Sequence, residues 1–191
     1  MDTDTTAGKK IRNLRESKNI SLEEMVERTT LSKEQLTAIE EGNTLPSLAP
    51  LIKIARALGV RLGTFLDDSQ NKGAVVCRGS ERRKGVSFSN DGASAKEHME
   101  YFSLSNAKGN RHIEPFVIHI LPNGEESYAL SSHEGEEFIY VLEGKVEINY
   151  GKNTYLLEPG DSIHYDSIVN HHVHGFEGQS AKILAVVYAP L

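Results

Sequence analysis

Between Lys9 and Leu66 the apolar positions recur at helical spacing: Ile11 and Leu14, then Leu22, Met25 and Val26, then Leu36 and Ile39, then Leu48, Leu51, Ile52, Ile54, Ala55 and Leu58. The spacing predicts four helices, and the tail RLGTFLDD at 61–68 predicts a short fifth, with Leu62, Phe65 and Leu66 closing the bundle. Local chemistry marks the ends. Ser21 stands three residues before Glu24 and Ser32 three before Gln35, so both predict capping boxes that satisfy orphan amides at a helix start. Gly42 and Gly59 fall where a helix ends in a left-handed residue. Pro46-Ser47 opens the next helix, and Pro50 lies in its first turn, where a missing amide costs little.

After DDSQNKG at 67–73 the period drops to two. Runs at 74–78, 99–104, 114–121, 136–144, 145–150, 153–160, 161–166, 171–176 and 181–190 are short, alternating and cut by Gly, Asn and Pro, which predicts strands. Strands this frequent argue for a sandwich or barrel. The chain therefore divides into an all-α domain at 1–66, a linker at 67–73 and an all-β domain at 74–191.

No run approaches the roughly 18 apolar residues of a membrane span, and the first residues, MDTDTTAGKK, lack an apolar signal core. A soluble, cytoplasmic protein is expected. The single cysteine, Cys77, excludes an internal disulfide and a Cys-based zinc site, and reads as a small buried residue on a strand. The net charge of −6 hides a contrast: residues 8–66 carry ten Lys or Arg against seven Glu, whereas 67–191 carry eleven against eighteen Asp and Glu. A basic head on an acidic body suits a head that approaches phosphate.

Two short capped helices, Ser21 to Arg28 and Ser32 to Glu41, form a helix-turn-helix by spacing. Through IRNLRESKNISLEEM, LSKEQLTAIEEGNTLPS and LIKIARALGV this third of the chain resembles the XRE family of helix-turn-helix repressors. The resemblance implies a lambda-repressor-like bundle that binds a double-stranded DNA operator. It implies that Arg15 pairs with Glu40 structurally, that Ser32, Lys33, Glu34 and Thr37 reach bases, and that Asn43 and Thr44 lie near phosphate. Val26, Thr30 and Ala38 depart from the family's small alanine, turn glycine and late polar base reader. A β-branched Thr30 at positive φ would cost on the order of 1 to 3 kcal/mol.

In the second half, HEGEEFIYVLEG at 133–144 and PGDSIHYDSIVNHHVHG at 159–175 resemble the two motifs of the cupin family. That implies a double-stranded β-helix, a jelly-roll barrel. Residue by residue, His133, Glu137 and Gly144 match the first motif and Pro159, Gly160 and His171 the second, while Ser131 holds the place of the family's first histidine. His133 and Glu137 share a strand face with Ile139 and Val141, and His171 shares one with Val173. Ser131, Ile139, Val141 and Val173 are thus expected to line an effector pocket. Two imidazoles and a carboxylate suit one divalent ion, Fe, Zn, Mn or Ni. The same trio could instead hydrogen-bond an organic effector. His172 and His174 alternate to the opposite face and read as surface residues. His164 also points outward, His119 reads as a packed strand histidine, and His98 and His112 read as loop residues.

Together these readings describe a DNA-binding transcriptional regulator. Its head binds an operator as part of a homodimer, and a small molecule or metal in the barrel shifts the heads. The alternative is a mononuclear non-haem iron oxygenase or epoxidase with an architectural head, because the three-ligand pattern also resembles iron epoxidases that join a helix-turn-helix to a cupin. Against it, the pocket strands carry no cluster of Lys, Arg, Tyr and Asn for a phosphonate or keto acid; Lys145 and Arg111 stand alone.

Overall fold

The computed structural model describes residues 7–42, 48–66, 73–82, 86–88, 99–109, 111–122 and 130–190. Among these residues the α-helices are α1 (Ala7–Ser17), α2 (Leu22–Thr29), α3 (Lys33–Glu40), α4 (Leu48–Ala57) and α5 (Gly63–Leu66). Ser32 forms the full capping box: it accepts from the Gln35 amide at 3.1 Å, and Gln35 Oε1 accepts from the Ser32 amide at 3.0 Å. At Ser21 only the forward half forms, because the Glu24 carboxylate is taken by Arg28 one turn on. Thr30 does adopt φ 60°, so the turn keeps the family's left-handed geometry despite a β-branched residue. Pro46 and Ser47 lie outside the described residues.

Among the described residues nine strands follow: β1 (Val86–Phe88), β2 (Met99–Ser103), β3 (Ile113–Ile120), β4 (Glu136–Glu143), β5 (Val146–Tyr150), β6 (Asn153–Leu157), β7 (Ser162–Asp166), β8 (His171–Gly175) and β9 (Ala181–Tyr188). They make a six-stranded sheet, β1-β2-β3-β9-β4-β7, and a three-stranded sheet, β6-β5-β8, antiparallel throughout. Ile139, Val141 and Ile183 of the first sheet pack against Val146 and Ile148 of the second. The strand expected at 74–78 is absent. β1 takes the edge beside β2, and the earlier segment runs unpaired with Val76 and Cys77 exposed. Cys77 is therefore not a buried strand residue.

The two cores touch. Ile11, Met25, Leu36, Leu51 and Leu58 form the helical core, and the same cluster includes Val187 of β9. Tyr101 of β2 and Leu66 of α5 pack against both cores. The head thus docks on the barrel through inward-facing side chains of the large sheet.

Candidate functional site

β4 and β8 bring His133, Glu137 and His171 together, all buried, with one ligand atom from each lying within 4.8 Å of the others. Backbone hydrogen bonds hold the loop that carries His133. Its amide donates to the Ser167 carbonyl at 3.0 Å, the Ser167 amide donates to Gly135 at 2.9 Å, and Ser131 and His171 exchange two bonds at 2.8 and 2.9 Å. Gly135 sits at φ 106°, where a Cβ would fall 1.9 Å from the Tyr188 carbonyl oxygen. Only glycine lets this turn lie flat against β9.

The imidazoles are oriented for coordination. His133 Nδ1 lies 3.1 Å from the Glu134 carbonyl oxygen, and His171 Nδ1 lies 2.9 Å from that of Val169. A carbonyl only accepts, so each Nδ1 carries a proton and each Nε2 faces inward. There they meet Glu137 Oε1, at 2.7 Å from His133 and 3.7 Å from His171. Nε2 lone pairs opposed to a carboxylate repel unless a proton or a cation lies between them. The donor set therefore fits a divalent ion, with both outer hydrogen bonds already made.

Tyr165 completes the arrangement and was not singled out from sequence. Its hydroxyl donates to Glu137 Oε2 at 2.7 Å, and its ring lies 5.1 Å from that of His171. The register Glu137↔Tyr165 puts it there, and its inward parity with Ile163 was the available signal. Burial, and then the Glu137 charge, push the Tyr165 phenol far up, so it stays a donor. Burial would raise Glu137, but hydrogen bonds and charge from His133 and His171 outweigh it and hold the carboxyl far below its usual range. For His171 burial pulls the pKa down, and the bond and charge of Glu137 more than reverse it, leaving it above 6.5.

Of the expected pocket residues, Ser131 adjoins His171, whereas Ile139 and Val141 are fully buried in the barrel core and half-buried Val173 packs against it. His172 and His174 occupy the face opposite His171, as alternation requires, yet they are buried rather than surface residues. Their rings stack at 5.3 Å, and His174 Nε2 lies 3.2 Å from Glu147 on β5. Half-buried His119 packs on Phe102, His164 is exposed beside Glu136, His112 is exposed, and His98 lies outside the described residues.

On the head, Arg15 holds Glu40 through two bonds, Nε to Oε1 at 2.6 Å and Nη2 to Oε2 at 2.8 Å. This ties α1 to the end of α3. Ser32 is occupied as a cap, Glu34 is exposed, Thr37 is half-buried, and Asn43 and Thr44 lie outside the described residues. Lys33 is exposed and pairs with Glu23 of α2 at 2.7 Å. Its base-facing role would require that exposed pair to open, a small cost for groups so well solvated.

Three contacts join head and barrel. Arg56 of α4 pairs with Glu134, whose carbonyl orients His133. Gly63 lies over the buried Arg111–Glu114 pair so closely that a Cβ would come 2.9 Å from Glu114 Oε1. Val187, in the helical core, is the register partner of Glu137.

The fold is thus a helix-turn-helix domain joined to a cupin. A family model for the helix-turn-helix domain matches residues 8–68 and one for the cupin domain matches 116–187. (S)-2-hydroxypropylphosphonic acid epoxidase of Streptomyces wedmorensis is 30% identical over 160 residues, 76% of each chain. The chain belongs to the family of helix-turn-helix–cupin proteins that includes this epoxidase. Among solved structures, an HTH_3 family transcriptional regulator from Vibrio cholerae superposes with a TM-score of 0.69 at 26% identity, covering 96% of this chain and 95% of the other. The crystal structure of FeII HppE superposes with a TM-score of 0.51 at 25% identity, covering 95% and 97%.

Proposed function

We propose that this protein is a DNA-binding transcriptional regulator whose operator affinity is set by what the barrel holds at His133, Glu137 and His171. One observation carries the reading: Glu137 lies opposite Val187, and the Val187 side chain is buried in the core of the DNA-binding head. A change at the trio is therefore one strand away from the head's packing, with Arg56–Glu134 as a second link. The full-length likeness to a solved regulator of the same two-domain build supports it. In this reading 1–66 and 74–191 are separate domains joined by a linker at 67–73, and α3 enters the major groove with Lys33 foremost. The trio holds one divalent metal or an organic effector, and the protein is a cytoplasmic homodimer on a two-half-site operator. No helix among the described residues is long and apolar enough to cross a membrane.

The metal would supply a Lewis-acidic centre for an effector or for oxygen. This chain's part is to orient both imidazoles through Glu134 and Val169 and to hold one carboxylate oxygen on Tyr165. Selection of bound fragments from genomic DNA at low salt tests the reading. A specific site, lost in a folded Lys33→Glu variant, supports it; no enrichment at low salt refutes it.

The 30% identity to an epoxidase favours a second reading, a mononuclear iron oxygenase with an architectural head. The partners found for the trio among the described residues are carbonyls and Tyr165, with no Lys or Arg to hold a phosphonate. Turnover of an added phosphonate by the iron-loaded protein would bring this reading to the front.

A further inference from the structure

A cavity of about 220 Å³ lies where the head meets the barrel. Arg61 and Leu62, between α4 and α5, form its head side. Arg111, His112 and Glu114, at the start of β3, form a second wall, and Tyr188 to Pro190, at the end of β9, form the third. None of His133, Glu137 and His171 lines it, so it is a space separate from the trio. Two features mark it as more than a packing gap. The first is buried charge. The Arg111 and Glu114 side chains are each 5% exposed, and Arg111 is fixed by Nε to Glu114 Oε2 and by Nη1 to the Lys108 carbonyl, both at 2.7 Å. An ion pair commonly loses more in hydration than its attraction returns, so apolar side chains would serve better if this junction only had to pack. The second is sign. Arg61 and Arg111 against Glu114 leave the wall one positive charge in excess, within a half of the chain, residues 67–191, that carries eleven Lys or Arg against eighteen Asp and Glu.

We infer that this cavity binds a small carboxylic acid, its carboxylate on Arg61 and its short apolar body against Leu62, Tyr188 and Pro190. Arg61 Nη2 lies 3.4 Å from His112 Nε2, a long contact in which the ring nitrogen accepts, because a guanidinium only donates. A carboxylate offers the same planar fork two charged oxygens, and charge-assisted bonds of this kind are about twice as strong as neutral ones. His112 serves the anion as well: in its other neutral tautomer Nε2 carries the proton and donates to it. The volume sets the size, because drug-sized ligands fill about 300 to 1,000 Å³, so the occupant is smaller than these and is no stretch of peptide or nucleic acid. The wall charge selects against a cation, and the Glu114 carboxylate is already bonded to Arg111. Because head and barrel both line the cavity, an occupant ties one to the other. Its Tyr188 wall also reaches the loop that carries His133, since Tyr188 is the register partner of Glu136 and its carbonyl lies against Gly135. The inference needs neither DNA nor metal.

Saturation-transfer NMR titration of the full chain with benzoate and with butyrate, at constant ionic strength, is the test. The protein is stripped of metal first, so that neither acid can bind as a ligand to an ion at the trio. At least one of the two should bind saturably, in the millimolar range or tighter, and butylamine, of the same length as butyrate, should not. Arg61→Gln should weaken the acid by about tenfold or more, the loss expected of a hydrogen bond to a charged group. Far-ultraviolet circular dichroism establishes that the variant is folded; if it is not, His112→Ala, at an exposed position, takes its place with a smaller loss in the same direction. Absence of saturable binding by both acids overturns the inference. A folded Arg61→Gln or His112→Ala that binds the acid as the wild type does overturns it too, by moving the acid to another site. Saturable binding of butylamine in place of the acids overturns the argument from sign. A chain that binds the acid through Arg61 but selects no DNA upholds this site while removing the regulator reading.

Discussion

The head and the barrel place their candidate functional groups in opposite ways. In the head, Lys33 and Glu34 lie exposed on a helix whose buried pair, Arg15 with Glu40, only holds the bundle together. In the barrel, His133, Glu137 and His171 are buried and locked to carbonyls and to Tyr165, and the Glu137 carboxyl is held far below its usual range. A surface that meets a large polyanion needs reach and solvation, whereas a site that captures an ion needs fixed lone pairs and exclusion of water. Exposed head residues should therefore alter operator binding directly and without altering stability, whereas barrel residues alter ligand capture and reach the operator only through it.

The largest effect is expected at the trio. Glu137→Ala should reduce metal affinity by more than the ten- to hundredfold typical of an outer hydrogen-bonding partner, measured by competition with a chromophoric chelator. Because ligating histidines must be neutral, occupancy falls as pH drops. With His171 held above 6.5 by Glu137, protons compete earlier, so the decline should begin at a higher pH than for an unperturbed histidine. A wild type that stays metal-free after reconstitution with Fe, Zn, Mn and Ni would leave the trio to an organic effector.

Next is Glu40→Ala, which strands the mostly buried Arg15 and should destabilise the head by on the order of 3 kcal/mol in urea unfolding. A Glu40→Ala variant that unfolds in urea as the wild type does would show that the Arg15–Glu40 pair contributes nothing to the head. Tyr165→Phe removes the bond to Glu137 Oε2 and should weaken metal binding about ten- to hundredfold while the head melts as before. Smallest is Thr30→Gly. It relieves a left-handed β-branched residue and should stabilise the head by up to about 1 kcal/mol, net of the entropy glycine brings to the unfolded chain. A destabilised Thr30→Gly would mean that the Thr30 hydroxyl, which donates to the Thr29 carbonyl at 2.6 Å, outweighs the strain.

How much was legible in the sequence follows the same division. Helix caps are local chemistry, so Ser32 with Gln35, Gly42 and Gly59 could be read directly, and the half-formed box at Ser21 failed only because Arg28 competes for Glu24. In the barrel, alternation put His133, Glu137, Ile139 and Val141 on one face, and the structure has all four buried there. Alternation gives a face but not its exposure. His172 and His174 were placed on the correct side and are nonetheless buried, because they stack on each other and against β5. Residues 74–78 have the composition of a strand but no partner edge, because the edge beside β2 is taken by β1 further along the chain. Tyr165 needed the β4–β7 register, a long-range pairing that composition does not encode.

The central claim is that the barrel site and the DNA-reading head act on each other. The most direct measurement is fluorescence anisotropy of the selected operator with metal-stripped wild type, titrated with and without the ion that the trio binds most tightly. Linkage requires that if the ion favours one placement of the heads, operator affinity and ion affinity change by the same factor, typically five- to 150-fold, about 1 to 3 kcal/mol. The account predicts such a shift in the wild type and none in His171→Ala. Identical operator affinity with the site empty and saturated would contradict it.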